Sequence, residues 1–471
     1  MPPDRITIAL RELASTLPEG ARLPSVRELM RVHGASPVTV QRAIAGLAAE
    51  GLVAPRPGRG TFVAAARPSD GHPDLGWQEV ALGSPGPGTD GLMELLALPP
   101  EGALALSSGY LDPALQPTAA LAASLARAGR RPGAWERPAI EGVAALRAWF
   151  AREAGGRFAA HDVVICPGGQ AALVTAVRAL ATSDSGDEAS GRGRGGTVLV
   201  ESPTYRGALA GVRAAGLAPL PVPSDADGIR PELLAEALER TRARVVYLQP
   251  LHANPHGADL APARRAEVIA IAARAGAFLV EDDWARDLTI DGPAPAPLAA
   301  DDVDGHVVYV RSLSKAASPG LRVAAVAARG PAGARLRAAR VVEDLFVSAP
   351  LQHAALDLVS SPGWRRHLKA LRVGLRERRD ALIGAVERDL GPQAIERIPT
   401  GGLHLWVRLP DGTDEPALIA AAARAGLIVS GGGPSFAHEP TGPRLRLTFG
   451  GAPPDVLVEG VGRLAALLPA G

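Results

Sequence analysis

From about residue 103 onward, the chain alternates short runs rich in β-branched residues with longer segments rich in alanine and leucine. Strands that alternate with helices in this way build an α/β fold, with a mostly parallel, doubly wound sheet. After residue 330 come long arginine-rich helices and the strand-like runs LHLWVRL and RLRLTF, which predict a small C-terminal α+β subdomain from about residue 345. The candidate strands of the main sheet are 197–200, 244–248, 277–280 and 307–310.

Length and composition exclude several classes of protein. The 471 residues are 47% hydrophobic and 21% charged, which is typical of globular proteins with two or three domains. The chain has no apolar run of about 18 residues, and its start, MPPDR, lacks the apolar core of a secretion signal, so we expect neither membrane spanning nor export. Cys166 is the one cysteine, which excludes an internal disulfide and a cysteine-based zinc finger. We predict a cytoplasmic protein without a metal site.

Lysine and asparagine are nearly absent from the chain. Of 50 basic residues only Lys315 and Lys369 are lysine, and Asn254 is the one asparagine. The abundance of alanine, glycine, proline and arginine indicates a coding bias that removed lysine and asparagine wherever another residue would serve. A remaining one is then either a chance survivor or a residue whose chemistry its substitutes lack.

The first 66 residues contain the signals of two capped helices joined by a short turn. Ser25 and Glu28 form a capping box before an apolar run, and Gly34 marks the end of that helix. Ser36 can cap a second helix with Pro37 at its first position, where a missing N–H costs nothing. Two helices joined in this way predict a helix-turn-helix.

A β-hairpin with basic residues follows the two helices. Its predicted strands, 52–54 and 61–63, flank the tight turn RPGRG and form a wing. The first 66 residues hold 8 arginines and 5 acidic residues, a net charge of +3 against +1 for the whole chain, which suits a phosphate-binding surface. We predict a DNA-binding domain at 1–66, a flexible linker at 67–102, a main domain at 103–471, and a disordered surface insertion at 181–196.

Polar residues gather where the candidate strands end, and in an open α/β sheet ligands bind just beyond those ends. The segments there are 202–205, 249–254, 282–283 and 312–315, which hold the lone asparagine and one of the two lysines. A lysine can lose its proton and form a Schiff base, as arginine effectively cannot, so Lys315 predicts capture of an aldehyde. Ser312 and Arg322 add a hydroxyl and a fixed cation. The sequence therefore predicts a ligand that is both an aldehyde and a phosphate.

Two other sets of residues at these ends have a structural as well as a functional interpretation. The backbone N–H groups of Gly169 and Gln170 could bind a phosphate at a helix N-terminus, or the two glycines before Gln170 could form a plain strand–helix turn. Asp282 or its neighbour Asp283 could pair with a protonated pyridine nitrogen, or could cap a helix.

Three further positions are equally open from the residues alone. Tyr205 could stack on a cofactor ring or pack in the core. Asn254 could bind a phenolic oxygen or start an Asn-Pro turn. Arg444 and Arg446 share a face of a predicted late strand, where one of them could bind a carboxylate bidentately or both could face solvent.

These motifs resemble two known families. The segment LPSVRELMRVHGASPVTVQRAIAGLAAEGLVAPRPGRGTFVA closely resembles the winged helix-turn-helix of the GntR regulators. Residues 103–471 resemble the class I/II aminotransferases, through GGQAAL, ESPTY, NPHG, VEDD, SLSK with PGLR, and RLxF. A GntR wing followed by that domain is the architecture of the MocR subfamily of transcriptional regulators. The resemblance implies a winged helix-turn-helix joined to a PLP-dependent transferase fold of the aspartate aminotransferase type.

The resemblance also implies roles toward pyridoxal 5′-phosphate (PLP). Lys315 would form the Schiff base and Asp282 would pair with the ring nitrogen, with Asp283 as the alternative. Arg446 would bind the carboxylate of an amino-acid-like effector. The remaining contacts would come from Gly169, Gln170, Ser312 and Arg322 to the phosphate, from Asn254 to the phenolic oxygen and from Tyr205 to the ring face.

On the DNA side, the resemblance implies that Arg27 contacts phosphates or bases and that Arg59 and Gly60 of the wing reach into a minor groove. Pro37 stands where many relatives have arginine, so we expect one base contact to be missing and the operator preference to differ. Trp284 stands where many have tyrosine, and because indole has no acceptor, one bond to the cofactor is lost or replaced. The recognition helix would contribute Ser36, Thr39, Gln41 and Arg42.

Three hypotheses follow. The first is a homodimeric regulator that binds a double-stranded DNA operator and whose aminotransferase-like domain senses PLP, alone or with an amino-acid or amine effector. The second is a working aminotransferase with a DNA-binding appendage, and the third is a repressor whose second domain is a structural relic. We favour the first, because an enzyme needs no winged helix whereas a regulator can use a cofactor site as a receptor. A dimer is expected because the aminotransferase fold places its sites at a dimer interface and paired winged helices read paired half-sites.

Overall fold

The computed structural model describes residues 3–64, 75–83, 90–181 and 196–468. They fall into two units, Met1–Pro85 and Gly86–Gly471. The predicted insertion at 181–196 lies outside the described residues except at its two ends, and residues 67–74 of the predicted linker also lie outside them.

A helix that the sequence analysis did not predict opens the first unit. Helix α1 (Pro3–Thr16) buries Ile6, Leu10 and Ala14, which recur every four residues and so lie on one face. These side chains pack in one cluster with Leu47 of a later helix. The helical spacing of apolar residues was therefore visible in the sequence ahead of Ser25, which is the first capping residue that we identified.

The two predicted capped helices are confirmed. Helix α2 (Val26–His33) begins after Ser25, whose side chain accepts a hydrogen bond from a backbone N–H of the first turn. It ends at Gly34, which has the left-handed conformation that glycine adopts without strain. Helix α3 (Pro37–Ala49) begins after Ser36 in the same way.

The predicted wing is an antiparallel hairpin of β1 (Val53–Arg56) and β2 (Gly60–Val63). The backbone N–H of Leu23 donates to the carbonyl of Thr61, which attaches the hairpin to the segment before α2. The first unit is thus a winged helix-turn-helix.

Two short helices lie within the stretch predicted as a flexible linker, α4 (Gly76–Leu82) and α5 (Asp90–Leu96). The prediction of an irregular chain is therefore wrong at these residues. The runs WQEVAL and LMELL contain the residues with the highest helix propensity, and the proline, glycine and aspartate around them only bound the helices.

The second unit is built on an eight-stranded mixed sheet, counted over the described residues. Ahead of it come β3 (Leu104–Ala105), α6 (Thr118–Gly129) and α7 (Ala144–Ala154). The strands of the sheet are β4 (Val163–Cys166), β5 (Thr197–Ser202), β6 (Ala218–Asp225), β7 (Gly228–Ile229), β8 (Val245–Leu248), β9 (Phe278–Asp282), β10 (Val307–Ser312) and β11 (Ala324–Ala327).

The order of these strands is β4-β11-β10-β9-β8-β5-β6-β7. The five central strands β10, β9, β8, β5 and β6 are parallel, which confirms the main prediction. Strand β11 is antiparallel to both of its neighbours, β4 and β10. Its sequence, AAVA, lacks the apolar and β-branched runs from which β5, β8, β9 and β10 were predicted, and the proline-containing β6 was missed for the same reason.

Both faces of the sheet are buried. Val164 and Val198 belong to one apolar cluster, whereas Ile165 and Leu199, the next residues on the same strands, belong to another. Successive side chains of a strand point to opposite faces, so helices must cover both. The helices that follow the strands are α8 (Gly169–Ala181), α9 (Arg206–Ala214), α10 (Pro231–Thr241), α11 (Pro262–Ala275) and α12 (Leu298–Asp301).

The C-terminal part forms a smaller α+β layer. Strands β12, β15 and β14 make an antiparallel sheet in that order, while β13 pairs in parallel with β3 from the start of the unit. No helix in the described segments is long and apolar enough to cross a membrane. The elements are α13 (Gly330–Asp344), α14 (Ala349–Val359), α15 (Pro362–Asp389), β12 (His404–Arg408), α16 (Glu415–Arg424), β13 (Leu427–Ile428), β14 (Ser430–Gly431), β15 (Arg444–Thr448) and α17 (Pro454–Ala465).

Candidate functional site

A cavity of about 70 Å³ lies where β5, β8, β9 and β10 end and where α8 begins. All eight residues predicted to bind a cofactor line it. The lining residues are Tyr110, Gly169, Gln170, Leu173, Tyr205, Gln249, Asn254, Asp282, Trp284, Ser312, Ser314, Lys315 and Arg322.

The reversed strand β11 explains how Arg322 reaches this cavity. Because β11 is antiparallel to β4 and β10, it begins at the edge of the sheet where those two strands end. The Arg322 guanidinium donates to the carbonyl of Pro167 over 2.8 Å and packs against Gly168, which has a φ of +101°. A side chain on Gly168 would collide with the guanidinium. The cation is thus held beside the N-terminus of α8, where backbone N–H groups also favour an anion.

The amine of Lys315 is held at the wall of the cavity. Its Nζ donates to the carbonyl of Gly109 over 2.7 Å and lies 4.0 Å from the centre of the Tyr110 ring. Burial, together with the nearby Arg446 guanidinium, lowers the pKa of Lys315 from 10.5 to about 7. Near neutral pH a large share of the amine is therefore uncharged, which is the nucleophilic form.

The two neighbouring aspartates at the end of β9 have different environments. Asp282 lines the cavity, and its Oδ2 accepts from the Tyr247 hydroxyl over 2.7 Å and from Gln249 Nε2 over 2.9 Å. Burial raises the pKa of Asp282 to about 6, and these two donors limit the rise. Asp283 is not in the lining and accepts instead from the Tyr309 hydroxyl over 2.6 Å. Of the two carboxylates, Asp282 is therefore the one that faces the cavity.

Tyr205 and Gln170 form another part of the wall. Tyr205 stands immediately before α9, and burial raises the pKa of its phenol above the usual value. Gln170 Nε2 donates to the carbonyl of Gly207 over 2.7 Å, so its amide is used in positioning α9. The hydroxyl of Ser312 accepts from the backbone N–H of Ser314 over 3.2 Å.

Trp284 lines the cavity with its ring but not with its N–H. The indole Nε1 donates to the backbone carbonyl of His252 over 3.1 Å, and the ring stacks on His404 with centroids 5.7 Å apart. The indole therefore offers a flat apolar surface to a ligand. We expect one hydrogen bond to the cofactor to be lost or replaced at this position, and Trp284 itself offers no acceptor that could replace it.

Arg446 of β15 is 2% exposed and has no carboxylate partner among the described residues. Its Nη2 donates to the carbonyl of Ser107 over 2.7 Å, its Nη1 lies 3.5 Å from Asn254 Oδ1, and its Nε has no hydrogen-bond partner in the described part of the chain. Burial, with repulsion from Arg206, lowers the pKa of Arg446 to about 9. Arg444, by contrast, pairs with Glu396.

Besides Trp284 and the apolar Leu173, three residues of the lining were not predicted as site residues. Ser314 lies within the motif SLSK, beside the predicted lysine, and its buried hydroxyl has no partner among the described residues. Gln249 stands at the end of a predicted strand, so its position alone could have indicated it. Tyr110 lies in a segment with no strand-end signal and could be found only from the structure.

In the first unit, the side chains predicted to contact DNA are mostly exposed. The Ser36 hydroxyl accepts from the backbone N–H of Thr39 over 3.2 Å and lies 2.8 Å from the Thr39 hydroxyl, so this pair also acts as a helix cap. Gly60 has a φ of +111°, which requires glycine, and a side chain there would contact Arg22. Thr39 is half-buried, and the exposed predicted contacts are Arg27, Ser36, Gln41, Arg42, Arg59 and Gly60.

Comparison with known proteins gives a family match for each unit. Residues 104–464 match the family model of aminotransferase class I and II, and residues 5–63 match that of bacterial regulatory proteins, gntR family. The 2-aminoadipate transaminase of Thermus thermophilus is 32% identical over 384 residues, which cover 80% of this chain and 93% of the relative.

Relatives also exist over nearly the full length. An uncharacterised HTH-type transcriptional regulator of Bacillus subtilis, YdfD, is 27% identical over 461 residues, which cover 96% of this chain and 92% of that protein. Among solved structures, the α-aminoadipate aminotransferase LysN of Thermus thermophilus, in complex with N-(5′-phosphopyridoxyl)-L-leucine, superposes with a TM-score of 0.71 at 30% identity. The superposition covers 80% of this chain and 96% of the LysN chain.

Proposed function

Because the chain belongs to the aminotransferase class I and II family and carries a GntR-type DNA-binding domain at its N-terminal end, we propose that it is a PLP-responsive transcriptional regulator. In this proposal the second unit binds PLP and an amino-acid-like effector, and the first binds an operator in double-stranded DNA. The protein acts in the cytoplasm as a homodimer. The full-length similarity to HTH-type regulators supports this combination of activities.

The residues of the cavity fit PLP at each of its polar groups. Arg322, Ser312 and the first backbone N–H groups of α8 suit the phosphate, and Gly168 leaves the room that the guanidinium needs. PLP supplies an aldehyde that condenses with a primary amine and a pyridine ring that withdraws electrons. Lys315 offers the amine in a partly neutral form, and Asp282 offers a carboxylate to a ring nitrogen.

The wall residues would orient the ring within this frame. Tyr205 and Trp284 provide flat surfaces, and the side-chain amide of Asn254 lies beside Arg446, where it can reach a phenolic oxygen and the effector together. Asp282, whose carboxylate accepts from two donors that favour its ionised form, would hold positive charge at the ring nitrogen. Except for Trp284, these proposed roles are the ones that the sequence analysis expected for the same residues.

The observation that carries the proposal is Arg446. A buried guanidinium without a carboxylate partner is costly, and natural proteins keep such a group mainly where a ligand supplies the negative charge. A monocarboxylate on an amino acid or amine would meet two N–H groups in a plane. If the second unit were only a structural relic that binds no effector, the chain would have no use for this buried cation.

The test measures how DNA binding responds to PLP and to an amine. A duplex selected from random sequences by the purified protein is titrated with protein, with and without PLP, for the natural chain and for Lys315→Ala. We expect PLP and a carboxylate-bearing amine to change the operator affinity of the natural chain and to leave that of Lys315→Ala unchanged. A normal response of Lys315→Ala to PLP would refute the proposal.

A second candidate function is complete transamination. Its support is the 32% identity to a 2-aminoadipate transaminase and the presence of all eight expected cofactor-binding residues in the lining of the cavity. Incubation of the PLP-loaded protein with pairs of amino acids and keto acids, followed by chromatography, distinguishes the two. Sustained conversion of both partners favours the enzyme, and at most one turnover per protein molecule favours the sensor.

A further inference from the structure

Gln249 connects two of the proposed cofactor contacts through the two ends of one amide group. Its Nε2 donates to Asp282 Oδ2 over 2.9 Å, and its Oε1 accepts from the backbone N–H of Asn254 over 2.9 Å. The side chain is 3% exposed. A backbone N–H can only donate, so the amide oxygen must face Asn254 and the amide N–H must face Asp282. The orientation of Gln249 is therefore unambiguous.

The same geometry determines which oxygen of Asp282 is free. Tyr247 and Gln249 both donate to Oδ2, whereas no described residue donates to Oδ1. An oxygen with two donors is saturated for practical purposes, and the other remains for a ligand in the cavity. Gln249 is itself fixed from behind, because its backbone N–H donates to Glu201 Oε2 over 2.6 Å on the neighbouring strand.

We propose that Gln249 is a positioning residue that holds Asp282 and the Asn254 turn in one arrangement, so that Asp282 presents Oδ1 to the ring nitrogen while Asn254 presents its amide to the phenolic oxygen. This inference rests on the proposed function, since it assumes that PLP occupies the cavity. Gln249 contacts the carboxylate of Asp282 and does not itself react.

The charge balance around Asp282 supports the same role. Burial favours the neutral acid, and the Tyr247 and Gln249 donors oppose it, which leaves the pKa of Asp282 at about 6. Without the Gln249 donor the carboxyl would retain its proton to higher pH. A protonated Asp282 cannot hold a positive charge on a pyridine ring.

The experiment compares two buried glutamines, each of which bridges two groups through its amide. Gln249→Met removes the bridge in the cavity. Gln352→Met removes a bridge of the same kind outside it, where Gln352 accepts from the backbone N–H of Val143 over 2.7 Å and donates to the carbonyl of Val347 over 2.8 Å. Both variants lose two buried hydrogen bonds, so a general loss of stability affects both.

The probe is pyridoxamine 5′-phosphate, because it binds without a covalent bond to Lys315. Its dissociation constant is measured by fluorescence titration for the full-length natural chain and both variants, and again for an analogue in which carbon replaces the ring nitrogen. For Gln249→Met we expect binding of the natural ring to weaken at least about tenfold and binding of the analogue to weaken much less, because a bond to a charged group is lost only with the former. Gln352→Met should bind both ligands as the natural chain does.

Each outcome decides a separate question. Equal losses for Gln249→Met and Gln352→Met would overturn the positioning role, and equal losses for the natural ring and its carbon analogue would overturn its action through Asp282; both results leave the proposed function standing. Failure of the natural chain to bind pyridoxamine 5′-phosphate would overturn the proposed function itself. Tyr247→Phe, which removes the other donor to Oδ2, should reproduce the loss for the natural ring without disturbing the Asn254 turn.

Discussion

Replacement of Arg446 by methionine should make the protein more stable and less responsive. The pKa of Arg446 falls from 12.5 to about 9, and at about 1.4 kcal/mol for each pKa unit this corresponds to a penalty on the order of 5 kcal/mol for the charged form. Methionine is apolar and of comparable length, so it avoids this penalty. The bond from Nη2 to the carbonyl of Ser107 is lost in exchange.

The net gain expected for Arg446→Met is about 1–4 kcal/mol, the range found when buried ion pairs are replaced by apolar residues, because here too a desolvated charge is removed and no charged partner is left behind. The assay is thermal unfolding of the full-length protein without effector, in which the melting temperature should rise. The matched control is Arg444→Met on the same strand. Arg444 pairs with Glu396 at a partly exposed position, so its loss should lower stability slightly, by about 0–1 kcal/mol.

The functional half of this prediction has the opposite sign. Arg446→Met should weaken the effect of carboxylate-bearing amines at least about tenfold, since one charge-assisted contact is worth that much. Affinity for PLP alone should be retained. Breaking a buried ion pair lowers the free energy of unfolding by about 3–5 kcal/mol. A fall in melting temperature that corresponds to such a loss would refute the reasoning and assign Arg446 a structural role.

Three other predictions concern the phosphate, the amine and the DNA. Gly168→Ala places a methyl group against the Arg322 guanidinium, so titration should show weaker binding of PLP but not of pyridoxal, and equal losses would contradict this. The rate at which Lys315 captures PLP can be followed by stopped-flow absorbance. This rate should rise through pH 7 as the amine loses its proton and should then level off. A rate that continues to rise up to the ordinary lysine pKa of 10.5 would contradict the lowered pKa. Arg42→Ala, measured by fluorescence anisotropy, should weaken DNA binding and reduce the salt slope by about 1, and an unchanged slope would remove Arg42 from the interface.

The sequence was most informative where the determinants of structure are local. Ser25, Gly34 and Ser36 act within one helical turn, so the bounds of α2 and α3 follow from them directly. Four of the five central parallel strands, β5, β8, β9 and β10, were recognised from their own apolar and β-branched runs, whereas the proline-containing β6 (APLPVPSD) was not. Lys315 and Asn254 stand out because their chemistry survives in a chain that otherwise avoids both residue types.

Other features depend on partners that are distant in sequence. Strand β11 forms because β4 and β10 provide two edges for it, and its own residues do not indicate a strand. Asp282 and Asp283 are equivalent in the sequence, and only the directions of Tyr247 and Tyr309 separate them. Gln249 looks like any polar residue at a strand end until its amide is seen between two other groups.

The connection between β10 and β11 carries both Lys315 and Arg322. Its two ends are joined by the pairing of Ser312 with Ala324, so the loop cannot lengthen or shorten without a change in the number of its residues. The separation between the amine and the guanidinium is therefore a property of one loop. We therefore expect one residue inserted between Lys315 and Arg322 to pull at least one of these groups away from its present partner, Gly109 or Pro167, and so to change the length of ligand that the cavity accepts.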